Sequence, residues 1–299
     1  MLALEGVDGV ASLDELARNW ALQVSSASEL TMHAAIDLYA GRSITEAKRA
    51  AESVSASLHI VSAGHGLLQS DAVIPSYNVT VSPGLDNALY RCLLRFDQSP
   101  ADWWRALIGA FGEQRSLAGL LASSSKSVVL LAVPSTYLML LAGELAEITV
   151  DLAKRLRIVT SPHGASVLPA HLQSAVLPYD ERLEGLAPYA GTRSDFPQRA
   201  LRHFVTVLKG HELPLESARN QVRQAMEGLQ KPIVPERKRK TDDEILTLLR
   251  ENWGRLNGSA TALLRYLRDD ALVACEQSRF RTLRQQVLSE LNQDNLIHG

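Results

Sequence analysis

Short apolar runs alternate with longer amphipathic segments along the first 230 residues. The apolar runs predict buried strands at residues 58–61, 128–133, 156–160 and 173–177. The amphipathic segments predict helices at residues 29–55 (interrupted at 41–43), 135–154, 195–209 and 216–229. Because strand, helix and strand follow one another, the pattern predicts an α/β fold with an open, mostly parallel sheet and covering helices.

Capping and turn residues mark the ends of these elements. Ser43 or Thr45 is expected to cap a helix over 46–55, and Ser99 with Pro100 is expected to begin another. Residues 64–86 contain several glycines and prolines, so we expect an irregular loop there. Loops of this kind often carry function.

A proline-rich and basic segment at residues 231–240 predicts a linker after a large domain at 1–230. The segment 241–244 then forms a capping-box sequence, and three short helices are expected up to residue 291, the second of them capped by Ser259. Three short helices with tight turns are typical of a helix-turn-helix. Residues 241–299 are therefore predicted to form a small helical module that binds DNA or a partner protein.

Composition limits the possible functions. The 299 residues carry a net charge of -2, so any affinity for DNA must come from local patches. The two cysteines, Cys92 and Cys275, are far apart and favour neither a zinc ribbon nor a disulfide. Residues 127–145 are apolar but interrupted by Pro134, which favours a buried strand and helix over a membrane span. With no secretory signal sequence evident, we expect a soluble, cytoplasmic protein without a metal or cofactor.

The segment Ser62–Asn78 is the richest in chemistry. His65, Asp71, Tyr77 and Asn78 supply acid, base and hydrogen-bonding groups after a predicted strand, where ligands bind in open α/β sheets. Gly64 would let backbone amides approach a ligand closely. The alternative is a structural loop whose polar groups satisfy its own backbone.

This segment resembles the signature of the YaaA-like proteins, the peroxide-stress family and its relatives. The matching residues are Ser62, Gly66-Leu67-Leu68, Asp71, Ile74 and Tyr77. Upstream, Leu38-Tyr39-Ala40-Gly41-Arg42 resembles the element that precedes the signature, which makes Tyr39 and Arg42 candidate binding residues. The chain departs from the pattern at Ser76, which is inserted, and at Asn78, where relatives often carry Asp or Arg. The resemblance implies an association with DNA and, through distant antiviral relatives, DNA glycosylase activity on modified phage DNA.

A second polar cluster lies between the predicted fourth strand and the helix at 195–209. Its candidate residues are Tyr179, Asp180, Arg182, Arg193, Asp195 and Arg199. The arginines are suited to hold phosphates beside a helix N-terminus. The alternative is a surface network of Asp–Arg pairs with an ordinary helix cap. Ser135 and Thr136, at the end of a predicted strand, are a further candidate phosphate site, although a role in capping the next helix explains them as well. Ser123–Ser127 precedes a strand and does not match a P-loop.

Arginines are frequent in the helical module, although its overall charge is nearly balanced. Residues 232–299 hold 11 Lys/Arg and 10 Asp/Glu. The candidate phosphate contacts are Arg265, Arg268, Arg279, Arg281 and Arg284. A bundle that binds a protein partner through solvated helical faces remains the alternative.

With the resemblance to the YaaA-like proteins, these patterns predict a DNA-acting enzyme, and the resemblance to their distant antiviral relatives implies an N-glycosylase that flips a modified base out of phage DNA. Asp71 is the first choice for the carboxylate that stabilises the sugar cation, and Asp195 is the second. His65, Tyr77 and Asn78 are expected to bind or protonate the base, with Ser62 and Gly64 beside them. The alternatives are an enzyme of free nucleotides or nucleosides and a DNA-binding stress protein without catalysis.

Overall fold

The computed structural model describes residues 1–27, 32–84, 86–123, 127–232 and 236–298, with side chains as far as residue 291. The chain divides into two compact units, Met1–Pro232 and Ile233–Gly299, called here the large unit and the small unit. Parts of four predicted segments lie outside the described residues: 29–31 of the first helix, 85 of the predicted loop, 124–126 of the serine-rich connection and 233–235 of the linker.

The large unit is a mixed α/β structure whose strands form two-stranded sheets in the part of the chain described. The strands are β1 (Leu2–Ala3), β2 (Met32–Ala34), β3 (His59–Ser62), β4 (Gly66–Gln69), β5 (Val73–Pro75), β6 (Tyr77–Asn78), β7 (Val129–Ala132) and β8 (Leu156–Val159). The pairs β1–β6 and β7–β8 are parallel, whereas β2–β5 and β3–β4 are antiparallel.

The helices of the large unit surround these strands. They are α1 (Leu13–Ser25), α2 (Ala35–Leu38), α3 (Arg42–Ser53), α4 (Ala88–Arg95), α5 (Pro100–Phe111), α6 (Leu117–Ser123), α7 (Ser135–Leu140), α8 (Ala142–Glu147), α9 (Val150–Ala153), α10 (Pro162–Ser166), α11 (Phe196–Thr206) and α12 (Leu215–Glu227). The predicted start of α5 is confirmed, because Ser99 and Asp102 form a reciprocal capping box with Pro100 in the first turn.

The parallel pair β7–β8 is the βαβ element that the sequence predicts. Every residue of β8 is buried, as expected for a strand covered on both faces. The predicted fourth strand at 173–177 is largely wrong, since only Val176 forms a parallel bridge, to Ile158. Residues Ala170–Ala175 form a 3₁₀ helix instead, which buries Leu172 and Ala175 three residues apart on one face.

Two predicted helices have different bounds in the structure. The helix at 135–154 is divided into α7, α8 and α9, and the last break falls in the β-branched run 148–150, where Thr149 caps α9. In the segment 29–55, residues 32–34 pair with β5 as a strand, and α3 begins at Arg42 after Gly41. Gly41 has a φ of 110°, a conformation that favours glycine, so it ends the preceding turn in place of a Ser43 or Thr45 cap.

Residues 64–86 contain more regular structure than the glycines and prolines suggest. Strands β4, β5 and β6 follow one another between residues 66 and 78: β4 pairs with the preceding strand β3 across a tight turn, whereas β5 and β6 pair with the distant strands β2 and β1. The prediction of a wholly irregular loop is therefore wrong for this part. Strand pairing overrides the local turn signals.

The core of the large unit packs around large aromatic side chains. Trp20, Trp103 and Trp104 are fully buried, and the first two lie beneath the turn between β3 and β4. Across the described residues, no helix combines the length and the apolar character needed to cross a bilayer.

The small unit contains α13 (Asp242–Trp253), α14 (Ala260–Arg265) and α15 (Gln277–His298), with a π-helical turn at Tyr266–Asp270. The predicted caps are confirmed: Thr241 forms a capping box with Glu244, and Ser259 caps α14. Part of the predicted linker pairs with this unit, because the Lys238 N–H donates to the Leu272 carbonyl and the Lys238 carbonyl accepts from Ala274, both at 2.8 Å.

Candidate functional site

A tight turn joins β3 to β4 and positions the main group of candidate residues. Ser62 pairs with Gly66, so residues 63–65 form the turn. Gly66 has a φ of 72°, and a Cβ there would lie 2.7 Å from the Arg115 carbonyl oxygen. At Gly64 a Cβ would lie 2.5 Å from Cε2 of Tyr77, so only glycine allows the tyrosine ring to lie against the turn.

Three hydroxyl groups form a connected chain beside this turn, which we call the hydroxyl cluster: Ser62, Tyr77 and Tyr39. Ser62 Oγ lies 2.5 Å from the Tyr77 hydroxyl, which is hydrogen-bonded in turn to the Tyr39 hydroxyl. Ser62 Oγ also accepts the backbone N–H groups of Gly64 and His65, both at 3.1 Å.

The two hydrogen bonds from backbone N–H groups to Ser62 determine which hydroxyl donates to which within the hydroxyl cluster. Because Ser62 Oγ uses its lone pairs to accept them, its own proton is directed to Tyr77. Tyr77 then donates to Tyr39, and the Tyr39 proton is left for solvent or a ligand. Burial raises the pKa of both Tyr77 and Tyr39, so both phenols stay protonated at neutral pH and act as donors.

His65 is buried in the same turn, and its Nε2 has no hydrogen-bond partner within the described part of the chain. The ring packs edge-on to Tyr77, with centroids 4.7 Å apart, and lies 5.8 Å from the Phe111 ring. Burial, assisted by the positive charge of Arg115, lowers the pKa of His65 to about 4. The imidazole is therefore neutral at pH 7, and a buried polar nitrogen is left unsatisfied.

Two tryptophans hold the backbone of the turn in place. Trp20 Nε1 donates to the Gly64 carbonyl at 2.5 Å, and Trp103 Nε1 donates to the Ala63 carbonyl at 2.8 Å. Both indoles are fully buried, so the turn rests on the core of the large unit rather than on solvent. A rigid support of this kind suits a site whose donors must stay in fixed positions.

Tyr137 is a further candidate residue that the sequence interpretation missed. It lies in α7, directly after the predicted phosphate-site residues Ser135 and Thr136 at the carboxyl end of β7, and all three are half-buried. Burial and the neighbouring Tyr39 raise the pKa of Tyr137. Tyr137 in turn helps to raise the pKa of Tyr77. Its position at the end of a parallel strand was the available signal.

Asp71 is not brought together with His65 and Tyr77. It is exposed in the turn after β4, at the opposite end of the hairpin from residues 63–65. The four residues of β4 span about 13 Å at the usual rise per residue. Asp71 instead lies near His59, where its charge opposes the lowering of the pKa of His59 by burial.

Asn78 and Arg42 also lie apart from the hydroxyl cluster's hydrogen bonds. Asn78 is exposed on β6, where its backbone pairs with Ala3 of β1. Arg42 begins α3 and forms an ion pair of 3.5 Å with Glu46, a buried carboxylate that also binds Arg202. These contacts account for Arg42 as part of the packing between α3 and α11.

The second candidate cluster centres on Arg199, which is fully buried, and we call it the Arg199 cluster. Its Nε donates to Asp195 at 2.6 Å, and one Nη donates to both Glu184 and the Thr192 carbonyl at 2.7 Å. The other Nη donates to the Tyr189 carbonyl. Burial alone would raise the pKa of Asp195, but the hydrogen bond and charge of Arg199 lower it overall.

The remaining residues of this segment have internal partners or face solvent. The Tyr179 hydroxyl is bonded to His203 Nδ1 at 2.8 Å, and Asp180 forms an ion pair with Arg182 at 2.8 Å. Arg193 is exposed. The structure therefore accounts for Tyr179, Asp195 and Arg199 as buried structural groups, and their internal partners leave little bonding capacity for a phosphate.

In the small unit, the three candidate arginines of α15 have different surroundings. Arg279 forms an ion pair with Asp242 and donates to the Lys240 carbonyl at 2.8 Å. Arg284 donates twice to the Gly258 carbonyl, whereas Arg281 is exposed. Throughout the described residues, no group of three or more His, Cys, Asp or Glu side chains is arranged to hold a metal ion.

Neither a family model, nor a curated protein, nor a solved structure matches this chain. The similarity to the YaaA-like proteins thus rests on the motif within residues 38–77 alone.

Proposed function

We propose that the hydroxyl cluster, with His65 and Tyr137, binds a nucleobase, and that the protein is a DNA N-glycosylase that removes a modified base from phage DNA. The observation that carries this proposal is a buried, neutral histidine with an unpaired Nε2, beside a chain of hydroxyl donors that ends at a half-buried tyrosine. An unsatisfied buried polar group is costly unless a ligand completes it.

The chemistry of the cluster suits a flat, neutral, polar ligand. Tyr39 and Tyr137 supply phenol groups, and His65 supplies a nitrogen whose role depends on its tautomer. Enzymes that act on a flipped base bind its polar edge by hydrogen bonds and its faces by aromatic rings. The neighbours that shift the pKa of His65 and Tyr77 are Arg115, Ser62, Tyr39 and Tyr137, and no carboxylate is among them.

The hydroxyl cluster therefore favours activation of the departing base over stabilisation of the sugar by a carboxylate. A base leaves more readily when a donor hydrogen-bonds to the nitrogen or oxygen that gains electrons. The Tyr39 hydroxyl has the free proton for that task, and Ser62 and Tyr77 keep it oriented. Positioned proton donors contribute about 10²- to 10⁴-fold to a rate.

The proposal includes the finer features that the sequence pattern predicts. The pair β7–β8, with the bridge at Val176, would be the centre of an open, mostly parallel sheet whose carboxyl end carries Ser135–Tyr137. The small unit would act as a helix-turn-helix-like DNA-binding module. The enzyme would act in the cytoplasm, in antiviral defence, as the YaaA-like motif suggests.

The test is release of a base by the full-length protein. Phage DNA with modified bases and unmodified DNA of the same length are incubated with the protein. Mass spectrometry of the supernatant then detects released bases, and abasic sites are counted on the DNA. The expected result is release from modified DNA only. Release from free nucleosides but not from DNA would favour the nucleoside enzyme, and no release from either would overturn the proposal.

The chain provides a matched pair of variants for this assay. Tyr77→Phe removes the central hydroxyl of the hydroxyl cluster, beside the buried His65. Tyr179→Phe removes a buried hydroxyl elsewhere in the large unit, one that is bonded to the buried His203. Base release is expected to fall by about 10²-fold or more in Tyr77→Phe and to stay near wild type in Tyr179→Phe. Equal activities in the two variants would contradict the assignment of the site.

A further inference from the structure

Arginines gather around a groove of about 630 Å³ in the small unit. The groove lies between the segment 260–269 and the first turns of α15, and its arginines are Arg237, Arg265, Arg268, Arg281 and Arg284. Asp269 is the one carboxylate among the residues that line the groove, and it is bound by Arg237 at 3.0 Å. Positive charge therefore exceeds negative charge here, although the chain as a whole carries -2.

Two of these arginines are held rigidly by the backbone. Arg268 donates through Nε and one Nη to the Cys275 carbonyl, at 3.3 and 3.0 Å. Arg284 makes the same paired contact with the Gly258 carbonyl, at 3.1 and 2.7 Å. Each guanidinium keeps its other Nη for a ligand, and its orientation is fixed before a ligand arrives. Fixed guanidinium groups are suited to bind phosphate oxygens.

Two other arginines carry charges that their surroundings do not neutralise. Arg265 and Arg281 are exposed, and neither makes a hydrogen bond or an ion pair with any residue in the described part of the chain. Like charges that share one groove repel each other, so the arrangement is costly in the absence of an anion. A polyanion would remove that repulsion and displace counterions from its own backbone.

The groove lacks the apolar anchor that a peptide or a membrane requires. Its phenylalanine, Phe280, is 4% exposed, and Leu264 is partly buried against the core of the small unit. Leu272 is the exposed large hydrophobic residue of this unit among those described, and it does not line the groove. Protein partners bind mainly through buried aromatic and aliphatic anchors, and membrane surfaces need inserted apolar side chains. A charged, weakly apolar groove fits the phosphodiester backbone better.

We propose that this groove binds the phosphate backbone of duplex DNA, with Arg265 and Arg281 as direct phosphate contacts and Arg268 and Arg284 as further donors whose orientation is fixed by the backbone. The choice of DNA among nucleic acids rests on the proposed function, whereas the groove and its charges do not. Arg279 is not among the proposed phosphate contacts, because it is already paired with Asp242 and donates to the Lys240 carbonyl. Binding of this type is independent of base sequence.

The experiment measures affinity of the full-length protein for a fluorescent duplex over a range of salt concentrations. Arg265→Ala and Arg281→Ala are each expected to weaken binding and to reduce the slope of log K against log salt by about 0.9. The matched control is Arg250→Ala, an arginine of the same unit that is already paired with Glu290 at 2.9 Å. It should leave the slope unchanged.

Other ligands and a second readout make the result decisive. A polyglutamate peptide and vesicles with anionic lipids are titrated in parallel, and tighter binding to either than to DNA would overturn the inference. So would equal slopes in Arg281→Ala and Arg250→Ala. Base release is measured separately at saturating protein. If the slope changes as expected but no base is released, the proposed glycosylase function is wrong, whereas the proposed binding of DNA in the groove is retained.

Discussion

The hydroxyl cluster and the Arg199 cluster each lie beside a buried histidine but differ in how far their polar groups are satisfied. His65 packs against Tyr77, and His203 packs against Tyr189, whose carbonyl accepts from Arg199. Burial lowers the pKa of both histidines to about 4. His203 is hydrogen-bonded to Tyr179, and every guanidinium nitrogen of Arg199 donates a hydrogen bond. In the hydroxyl cluster, His65 Nε2 has no partner among the described residues.

This difference separates a group of residues that stabilises the fold from one that we propose to bind a ligand. Both regions place a buried histidine beside a tyrosine, so that pair of residue types does not distinguish them. The distinguishing property is whether the donors and acceptors have partners: a closed network stabilises the fold, whereas an unpaired buried nitrogen can accept or donate a hydrogen bond to a ligand. The predictions below test that distinction, from the largest expected effect to the smallest.

Arg199→Ala should have the largest effect on stability. The substitution leaves Asp195 buried without its cation and removes the donors that hold residues 184–192. Breaking a buried ion pair of this kind costs about 3–5 kcal/mol. Unfolding in urea, followed by circular dichroism, measures the loss. A change below 1 kcal/mol would mean that the cluster is not structural, and Arg199 would again be a candidate for phosphate binding.

The two histidines should respond differently to replacement by leucine, which is close to histidine in volume. His203→Leu leaves the buried Tyr179 hydroxyl without its partner, which costs about 1–3 kcal/mol. His65→Leu removes a nitrogen that already lacks a partner, so the free energy of unfolding should change by about 1 kcal/mol or less, while base release is lost. Equal destabilisation by the two substitutions would contradict the comparison.

Stability should also fall as the pH is lowered from about 6.5 to about 4. Both histidines have a folded-state pKa near 4, below the ordinary value of 6.5, so the unfolded chain binds more protons in this interval. Below pH 4 both states are protonated and this contribution becomes constant. Chemical denaturation at several pH values measures the slope. His65→Leu and His203→Leu should each reduce it, and an unchanged slope in both would show that these groups do not control it.

Asp71→Asn should have the smallest effect. The side chain is exposed in a turn, so the free energy of unfolding should change by no more than about 0.5 kcal/mol. Base release should stay near wild type, because β4 separates Asp71 from the hydroxyl cluster. A large loss of release with normal stability would restore Asp71 as the carboxylate that the YaaA-like motif implies.

The sequence predicted local features better than long-range ones. The α/β class, the pair β7–β8 and the caps at Ser99, Thr241 and Ser259 follow from nearby residues, and all agree with the structure. The strands β2, β5 and β6 were missed because each pairs with a partner far along the chain. No local pattern reports such a pairing when turn residues are interspersed with short strands.

The same limit applies to the candidate site. Ser62, His65 and Tyr77 were identified from the segment 62–78 and Tyr39 from the element before it, and the structure brings the four together. Asp71 was grouped with them because it is near in sequence, but Ser62 and Asp71, nine residues apart, lie at opposite ends of the β3–β4 hairpin. Tyr137 was missed for the opposite reason, since 60 residues separate it from Tyr77. Periodicity and motif spacing carry no information on contacts at that range.

Because two indoles support the β3–β4 turn, tryptophan fluorescence can report on the candidate site. Trp20 donates to the carbonyl of Gly64, and its ring also lies 6.2 Å from the ring of Tyr77. Indole emission shifts with the polarity and hydrogen bonding of its surroundings. A molecule that binds beside His65 is therefore expected to change the emission wavelength or the intensity of the protein's intrinsic fluorescence. Occupancy can be followed without a label, and the Trp20→Phe variant identifies the reporter.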